Sequence, residues 1–205
     1  VLLGIATAPA WSKDETTTAP AEKAQPATDA KPAVPASSVT RHQAIIDGKA
    51  VKYTATVGWF ILKDPKDNPI ARFGYTAYTL DGVKDLTQRP VTFAFNGGPG
   101  SSSIWLHMGI MGPRRVVVND GGYAPPPPSQ VVDNAFSPLS VTDIVMIDPV
   151  GTGFSKPLGD AKPADFHGVD EDIRSVAQFI KRYVSENGRW GSPKYVLGES
   201  YGGMR

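Results

Sequence analysis

Lys194-Tyr195-Val196-Leu197-Gly198-Glu199-Ser200-Tyr201-Gly202 is a short apolar run that passes straight into a Gly-x-Ser-x-Gly pattern. A serine hydroxyl is a weak nucleophile until a neighbouring base takes its proton. It must also be presented to a substrate, and a tight strand-to-helix turn does this by lifting the serine out of the sheet. Such a turn is crowded, so the positions two before and two after the serine must be small. Here they are Gly198 and Gly202. The bare pattern also arises by chance, but a buried strand directly before it is the context the chemistry needs. Ser200 is therefore the candidate nucleophile.

Similar apolar runs lie upstream. Pro90-Val91-Thr92-Phe93-Ala94-Phe95 leads at once into Asn96-Gly97-Gly98-Pro99-Gly100, and Asp143-Ile144-Val145-Met146-Ile147-Asp148 follows later. Short strands that are apolar on both faces suit a buried parallel sheet. Between Asp148 and Lys194, Val169, Ile173, Val176, Ala177, Ile180 and Val184 fall at helical spacing, which predicts a helix over Val169 to Glu186. Asn187-Gly188 supplies its stop signal. Strand, helix and strand of this length imply a right-handed parallel crossover. Further back, Val51, Tyr53, Ala55 and Val57 alternate with polar residues, Asp64 to Pro69 is a turn cluster, and Ile70 to Leu80 resumes a strand. These predict an antiparallel hairpin. The fold class is α/β: a mixed, mostly parallel sheet with an N-terminal antiparallel hairpin, as in the α/β-hydrolase fold, running to just past the nucleophile turn.

A glycine loop after a central strand lets backbone N–H groups point into a cleft. In α/β-hydrolases one oxyanion donor comes from this loop and the other from the residue after the nucleophile. The candidates are Gly98 and Tyr201. The loop lacks both the G-K-[ST] ending and the G-x-G-x-x-G spacing of phosphate-binding loops.

The blocks Asn96-Gly97-Gly98-Pro99-Gly100-Ser101-Ser102-Ser103, Asp148-Pro149-Val150-Gly151-Thr152-Gly153-Phe154-Ser155 and Gly198-Glu199-Ser200-Tyr201-Gly202-Gly203 stand in the order seen in the serine carboxypeptidase family. The chain resembles that family, as a bacterial-type member, over roughly Thr92 to Arg205. The resemblance implies that Ser200 forms the acyl-enzyme and that Gly98 and Tyr201 supply the oxyanion N–H groups. It also implies that Asn96, Gly97 and Glu199 bind the substrate's C-terminal carboxylate, so the partner is a peptide with a free C-terminus. Glu199 suits an anionic ligand when it is protonated and donates a hydrogen bond. The sequence departs from the family at Ser101, where a cysteine is usual, and at Ala94, where a tryptophan is usual. It departs again at Ile110, where the spacing would place a second glutamate to partner the one before the nucleophile. The triad Asp and His follow the serine in this fold's chain order, and five residues follow Ser200. The expectation is thus an N-terminal part of a peptidase, inactive by itself. His42, His107 and His167 all precede Ser200 and are expected to be surface or packing residues. Asp148 is expected to hold the loop from Pro149 to Phe154.

The 205 residues, 40% hydrophobic and 20% charged, suit one soluble domain. A net charge of +1 without long runs of one sign points to neither nucleic acid nor an anionic membrane. With no cysteine there is no disulfide frame and no thiolate metal site, and neither a metal nor an organic cofactor is implied. Val1 to Ala10 is an apolar run ending in small residues, which predicts a signal-peptide remnant and an exported protein, periplasmic or secreted. It is too short to span a bilayer. Residues 11–38, rich in Ala, Pro and Thr, are expected to be a disordered tether, and residues 39–205 the peptidase region. Tyr123 to Pro128 predicts a rigid surface loop. Two rivals stay open on the same scaffold: a serine esterase or acyltransferase, and a binding domain that keeps the serine turn without catalysis.

Overall fold

The computed structural model describes residues 36–118 and 125–205. The predicted signal remnant, all but the end of the tether, and Tyr123 and Ala124 lie outside these residues. In chain order the elements are β1 (Ser38–Ile46), β2 (Lys49–Lys63), β3 (Pro69–Leu80), β4 (Val91–Phe95), α1 (Ile104–Leu106), β5 (Arg114–Val116), β6 (Val131–Asp133), β7 (Asp143–Ile147), β8 (Lys156–Pro157), α2 (Val169–Glu186) and β9 (Lys194–Gly198).

The main sheet has the order β1-β2-β3-β7-β4-β9, with β8 added against β3. β1, β2, β3 and β7 pair antiparallel, whereas β4 pairs parallel with β7 on one side and with β9 on the other. The predicted hairpin is β2–β3, with Tyr53 opposite Leu80 and Leu62 opposite Ala71. β1 is an addition to the sequence reading. It joins β2 through Asp47 and Gly48, both at positive φ (47° and 70°), the turn chemistry that matches the twist of a two-strand ribbon.

Period-2 alternation divides the core between the two sheet faces. Phe93, Phe95, Val145 and Ile147 face α2, where Phe179 and Tyr183 meet Phe60, Phe73 and Tyr75 in an aromatic cluster. Ala94, Ile144 and Met146 face the other way, onto Leu106, Met111 and Leu139. α2 spans the predicted residues and ends as predicted. Gly188 is at φ +64°, and the Arg189 N–H bonds the Val184 carbonyl at 2.8 Å, the six-to-one bond of a Schellman cap. Its buried face differs from the predicted one: Asp172, Ser175, Val176, Phe179, Tyr183 and Val184 are buried, while Val169 and Ala177 are exposed. The two aromatic rings reach furthest into the sheet and set the helix's rotation.

β9 also departs from expectation. β4 and β7 are buried throughout, but Tyr195, Val196 and Leu197 of β9 are exposed. The reason is topological, since β9 lies at the sheet's end and pairs with β4 alone among the described strands.

At the N-terminal ends of the parallel strands a buried ionic network ties the sheet together. Asp143, which opens β7, accepts from Arg89 Nε at 3.1 Å, from Arg189 Nη1 at 2.5 Å and from the Leu80 N–H at 3.0 Å. Arg189 also donates to the carbonyls of Arg89 and Pro90, and Arg89 to those of Leu139 and Ser140. The segments that enter β4, β7 and β9 are thus fixed to one another.

Candidate active site

The motif blocks read from the sequence emerge together at the C-terminal ends of the adjacent parallel strands β7, β4 and β9. Loops at that end of a parallel sheet are where open α/β folds bind their ligands. β9 stops at Gly198, the Glu199 N–H makes a last bond back to the Phe95 carbonyl at 3.2 Å, and Ser200 opens a 3-10 turn. Ser200 has φ +57°, a conformation that costs a non-glycine residue energy and persists only where surrounding structure enforces it. Here the enforcement is local: Gly202 N–H bonds the Glu199 carbonyl at 2.9 Å and Met204 N–H bonds that of Tyr201 at 3.0 Å.

The neighbouring glycine loop lies directly against this turn. A Cβ on Gly97 would sit 2.5 Å from the Tyr201 nitrogen and 2.7 Å from the Glu199 carbonyl oxygen, and one on Gly202 would sit 3.0 Å from the Phe95 carbonyl oxygen. Glycine is required at both places because backbone passes over backbone there. Gly98 adopts φ +109°, a region open to glycine alone. Among the described loop and turn hydrogen bonds, the N–H groups of Glu199, Gly202 and Met204 are donors while those of Gly98 and Tyr201 are not. Neither N–H is spent on a partner within these described loops.

Asn96, 2% exposed, is gripped at both ends of its amide. Its Oδ1 accepts from the Leu106 N–H at 3.1 Å, and its Nδ2 donates to Glu199 Oε2, also at 3.1 Å. The candidate residues Asn96, Gly97, Glu199, Ser200 and Tyr201 are thus contiguous, with Gly98 next in the loop. Glu199 and Ser200 are exposed.

Asp148 joins the first two blocks. Its Oδ1 accepts from Ser103 N–H at 2.9 Å and Ser103 Oγ at 2.8 Å, and its Oδ2 from the Phe154 N–H at 3.2 Å. It holds the loop from Pro149 to Phe154, as expected, and in addition pins the end of the glycine loop. Ile110 lies in a π-helical turn, His107–Met111, is 61% exposed, and lines an apolar cleft with Tyr195, Val196 and Leu197.

The histidines stand apart from Ser200 in the described hydrogen bonds. His42 is exposed, stacks on Tyr53 and bonds Thr40. His107 shares a 2.5 Å hydrogen bond with the Tyr78 hydroxyl. Burial lowers the His107 pKa, the charge of Asp148 opposing it, and burial pushes the Tyr78 phenol up to about 12. His167 is exposed, across from Gly151. Sequence reasoning missed Asp172 and Arg205, which form a buried pair behind the glycine loop, Arg205 Nη2 to Asp172 Oδ2 at 2.6 Å. Nothing in their sequence context marks them.

A family model described as serine carboxypeptidase matches residues 76–205. Among curated proteins, the chain is 35% identical over 114 residues to serine-type carboxypeptidase F of Aspergillus niger, covering 55% of this chain and 19% of that one. It is 30% identical over 132 residues to serine carboxypeptidase-like 8 of Arabidopsis thaliana, covering 62% and 28%. It is 31% identical over 148 residues to the pheromone-processing carboxypeptidase KEX1 of Saccharomyces cerevisiae, covering 69% and 19%. The chain therefore spans between 19% and 28% of the length of these relatives. Among solved structures, the KEX1(delta)p prohormone-processing carboxypeptidase of Saccharomyces cerevisiae superposes with a TM-score of 0.58 at 25% identity, covering 73% of this chain and 31% of that one. The sheet described above is that of an α/β-hydrolase.

Proposed function

Because the chain belongs to the serine carboxypeptidase family, we propose that the full-length protein removes C-terminal residues from peptides through an acyl-enzyme on Ser200. The observation that carries this is the joint placement of Ser200, at φ +57° on its turn, and the Asn96–Glu199 hydrogen bond beside it. One provides a raised hydroxyl, and the other a polar grip one residue away.

In the proposed reaction Ser200 Oγ attacks the carbonyl carbon of the last peptide bond. Its proton passes to a base that the fold's chain order assigns to sequence after the elbow. The Gly98 and Tyr201 N–H groups receive the charge that develops on the carbonyl oxygen, a kind of stabilisation worth about 3–4 kcal/mol per donor in serine hydrolases. The C–N bond breaks, the leaving amine takes the proton from the base, and water then cleaves the acyl-enzyme by the reverse proton path. Asn96 Nδ2 and the Gly97 N–H donate to the substrate's terminal carboxylate, and Glu199 does so when it holds a proton. A site that hydrogen-bonds a charged end group rejects substrates lacking it, which makes the activity an exopeptidase.

Export is part of the same proposal. It is supported by the apolar run from Val1 to Ala10 and by the polar, Pro- and Ala-rich stretch after it. Among the described residues no helix is long and apolar enough to cross a membrane.

The test is turnover of a blocked dipeptide with a free carboxylate against the same compound amidated. Cleavage confined to the free acid supports the proposal. Equal cleavage of both points to a general acyl hydrolase, and cleavage of neither to a binding domain.

A further inference from the structure

Arg205 and Asp172 take no part in the chemistry above, yet they are among the most enclosed charges next to the site, with side chains 2% and 8% exposed. Arg205 spends all three guanidinium nitrogens. Nε and Nη2 donate to Asp172 Oδ2 at 2.8 and 2.6 Å, and Nη1 donates to the Asn96 carbonyl oxygen at 2.7 Å. The guanidinium carbon stands 5.4 Å from the centre of the Phe95 ring and 5.3 Å from that of Tyr201. The side chain thus lies between the last residue of β4 and the residue after Ser200. It is held from the first turn of α2, where Asp172 sits and where a carboxylate is favoured.

The bond to the Asn96 carbonyl has a geometric consequence. The Asn96–Gly97 peptide is trans, and in a planar trans peptide C=O and N–H point in opposite directions. A carbonyl fixed on Arg205 therefore aims the Gly97 N–H away from the guanidinium. Beyond Gly97 the loop is not packed on every side, because Pro99 and Gly100 border, with Asp172 and Arg205, a cavity of about 220 Å³.

We propose that Arg205, held by Asp172, is a positioning residue that sets the Asn96–Gly97 peptide plane and with it the N–H offered to the substrate's terminal carboxylate. The inference rests on the carboxypeptidase reading. It assigns carboxylate affinity, and not the acyl step, to a pair that touches no substrate atom. A lysine could still pair with Asp172, but a single ammonium cannot hold the acid and the carbonyl in one plane while lying between two rings.

Three variants of the full-length protein test this: Arg205→Lys, Asp172→Asn, and the double change Asp172→Leu with Arg205→Met. Each is assayed on a blocked dipeptide with a free carboxylate and on a blocked amino-acid ethyl ester, which has none. The expected result is a KM for the free acid raised roughly tenfold or more, with kcat on it falling less, so that preference for acid over ester drops by about that factor. Arg205→Lys keeps the charge pair and removes only the fork that also reaches the Asn96 carbonyl, whereas Asp172→Asn strands the buried guanidinium and can fail to fold. The double variant removes both charges at once, a replacement that buried pairs tolerate, so it carries the decision. A double variant that keeps the wild-type acid preference overturns the proposal. So does one that loses acid and ester turnover equally, because the pair would then support the nucleophile turn as a whole. Failure of the carboxypeptidase reading is separately visible, as a wild-type protein that does not prefer the free acid over its amide.

Discussion

Asn96 Nδ2 donates to Glu199 Oε2 at 3.1 Å, joining residues 103 positions apart across the ends of β4 and β9. Loss of the Asn96 amide removes a donor that the proposed mechanism aims at the substrate carboxylate. It also orphans the Leu106 N–H, which the Asn96 Oδ1 accepts. Asn96→Ala is therefore expected to lower stability by about 1–3 kcal/mol and to weaken free-acid substrates by a further ~1.5–3 kcal/mol in kcat/KM. The check is the ratio of acid to ester turnover in folded protein. An unaltered ratio would mean that Asn96 shapes the loop without reading the carboxylate.

Ser200→Ala in the full-length protein is expected to lower kcat on the order of a millionfold, as removal of a triad serine does. The fold should survive, since alanine meets the same φ of +57° with the same Cβ. The measurement is hydrolysis of the blocked dipeptide at matched concentrations of folded protein. A variant retaining a tenth of wild-type turnover would exclude Ser200 as nucleophile.

Asp143 carries the largest predicted effect on stability. It is 1% exposed and sits between the guanidinium groups of Arg89 and Arg189. Asp143→Ala leaves two buried cations facing each other without their shared acid, and breaking a buried ion pair by removing one partner costs about 3–5 kcal/mol. The urea midpoint should fall accordingly. A loss under about 1 kcal/mol would show that the carbonyls of Leu139, Ser140, Arg89 and Pro90 suffice to hold both cations.

Much of this architecture is legible in the amino-acid order because its determinants are local. Val91 to Phe95 and Asp143 to Ile147 are apolar on both faces, so they read as central strands, and they are. Asn187-Gly188 is a stop signal wherever it follows an amphipathic run. β1 escaped because the apolar period that marks a strand is missing: from Ser38 to Ile46 only Ala44 and Ile46 are buried. The rotation of α2 escaped because alternative apolar stripes fit one helix, and the sheet chose the one with the longest rings. Asp172 and Arg205 read as ordinary surface charges. Their meeting depends on a crossover that folds residues 33 apart onto the same loop, which no spacing rule reports.

The final prediction concerns acid sensitivity, and it comes from His107. The imidazole shares its Nε2 with the Tyr78 hydroxyl at 2.5 Å. Burial pushes the phenol up to about 12, so it holds its proton at any ordinary pH. Burial also lowers His107 from its ordinary 6.5, more than the nearby Asp148 charge restores. In the unfolded chain His107 takes up a proton near 6.5, whereas in the fold it does so only at lower pH. Between those points the unfolded state binds more protons, so stability declines as pH falls through that window. Each unit of separation is worth about 1.4 kcal/mol once the pH lies below both values. His42 and His167 are exposed and stay in place when His107 is changed. The experiment is urea unfolding of the wild-type protein and of His107→Gln at pH 7.5 and 5.5. The wild type should lose more stability than the variant between the two conditions, because glutamine keeps a hydrogen-bonding partner for Tyr78 and cannot take up the proton. Equal losses in the two proteins would mean that His107 titrates alike in the folded and unfolded chains, and that its half-buried place at the start of the π-helical turn excludes no proton.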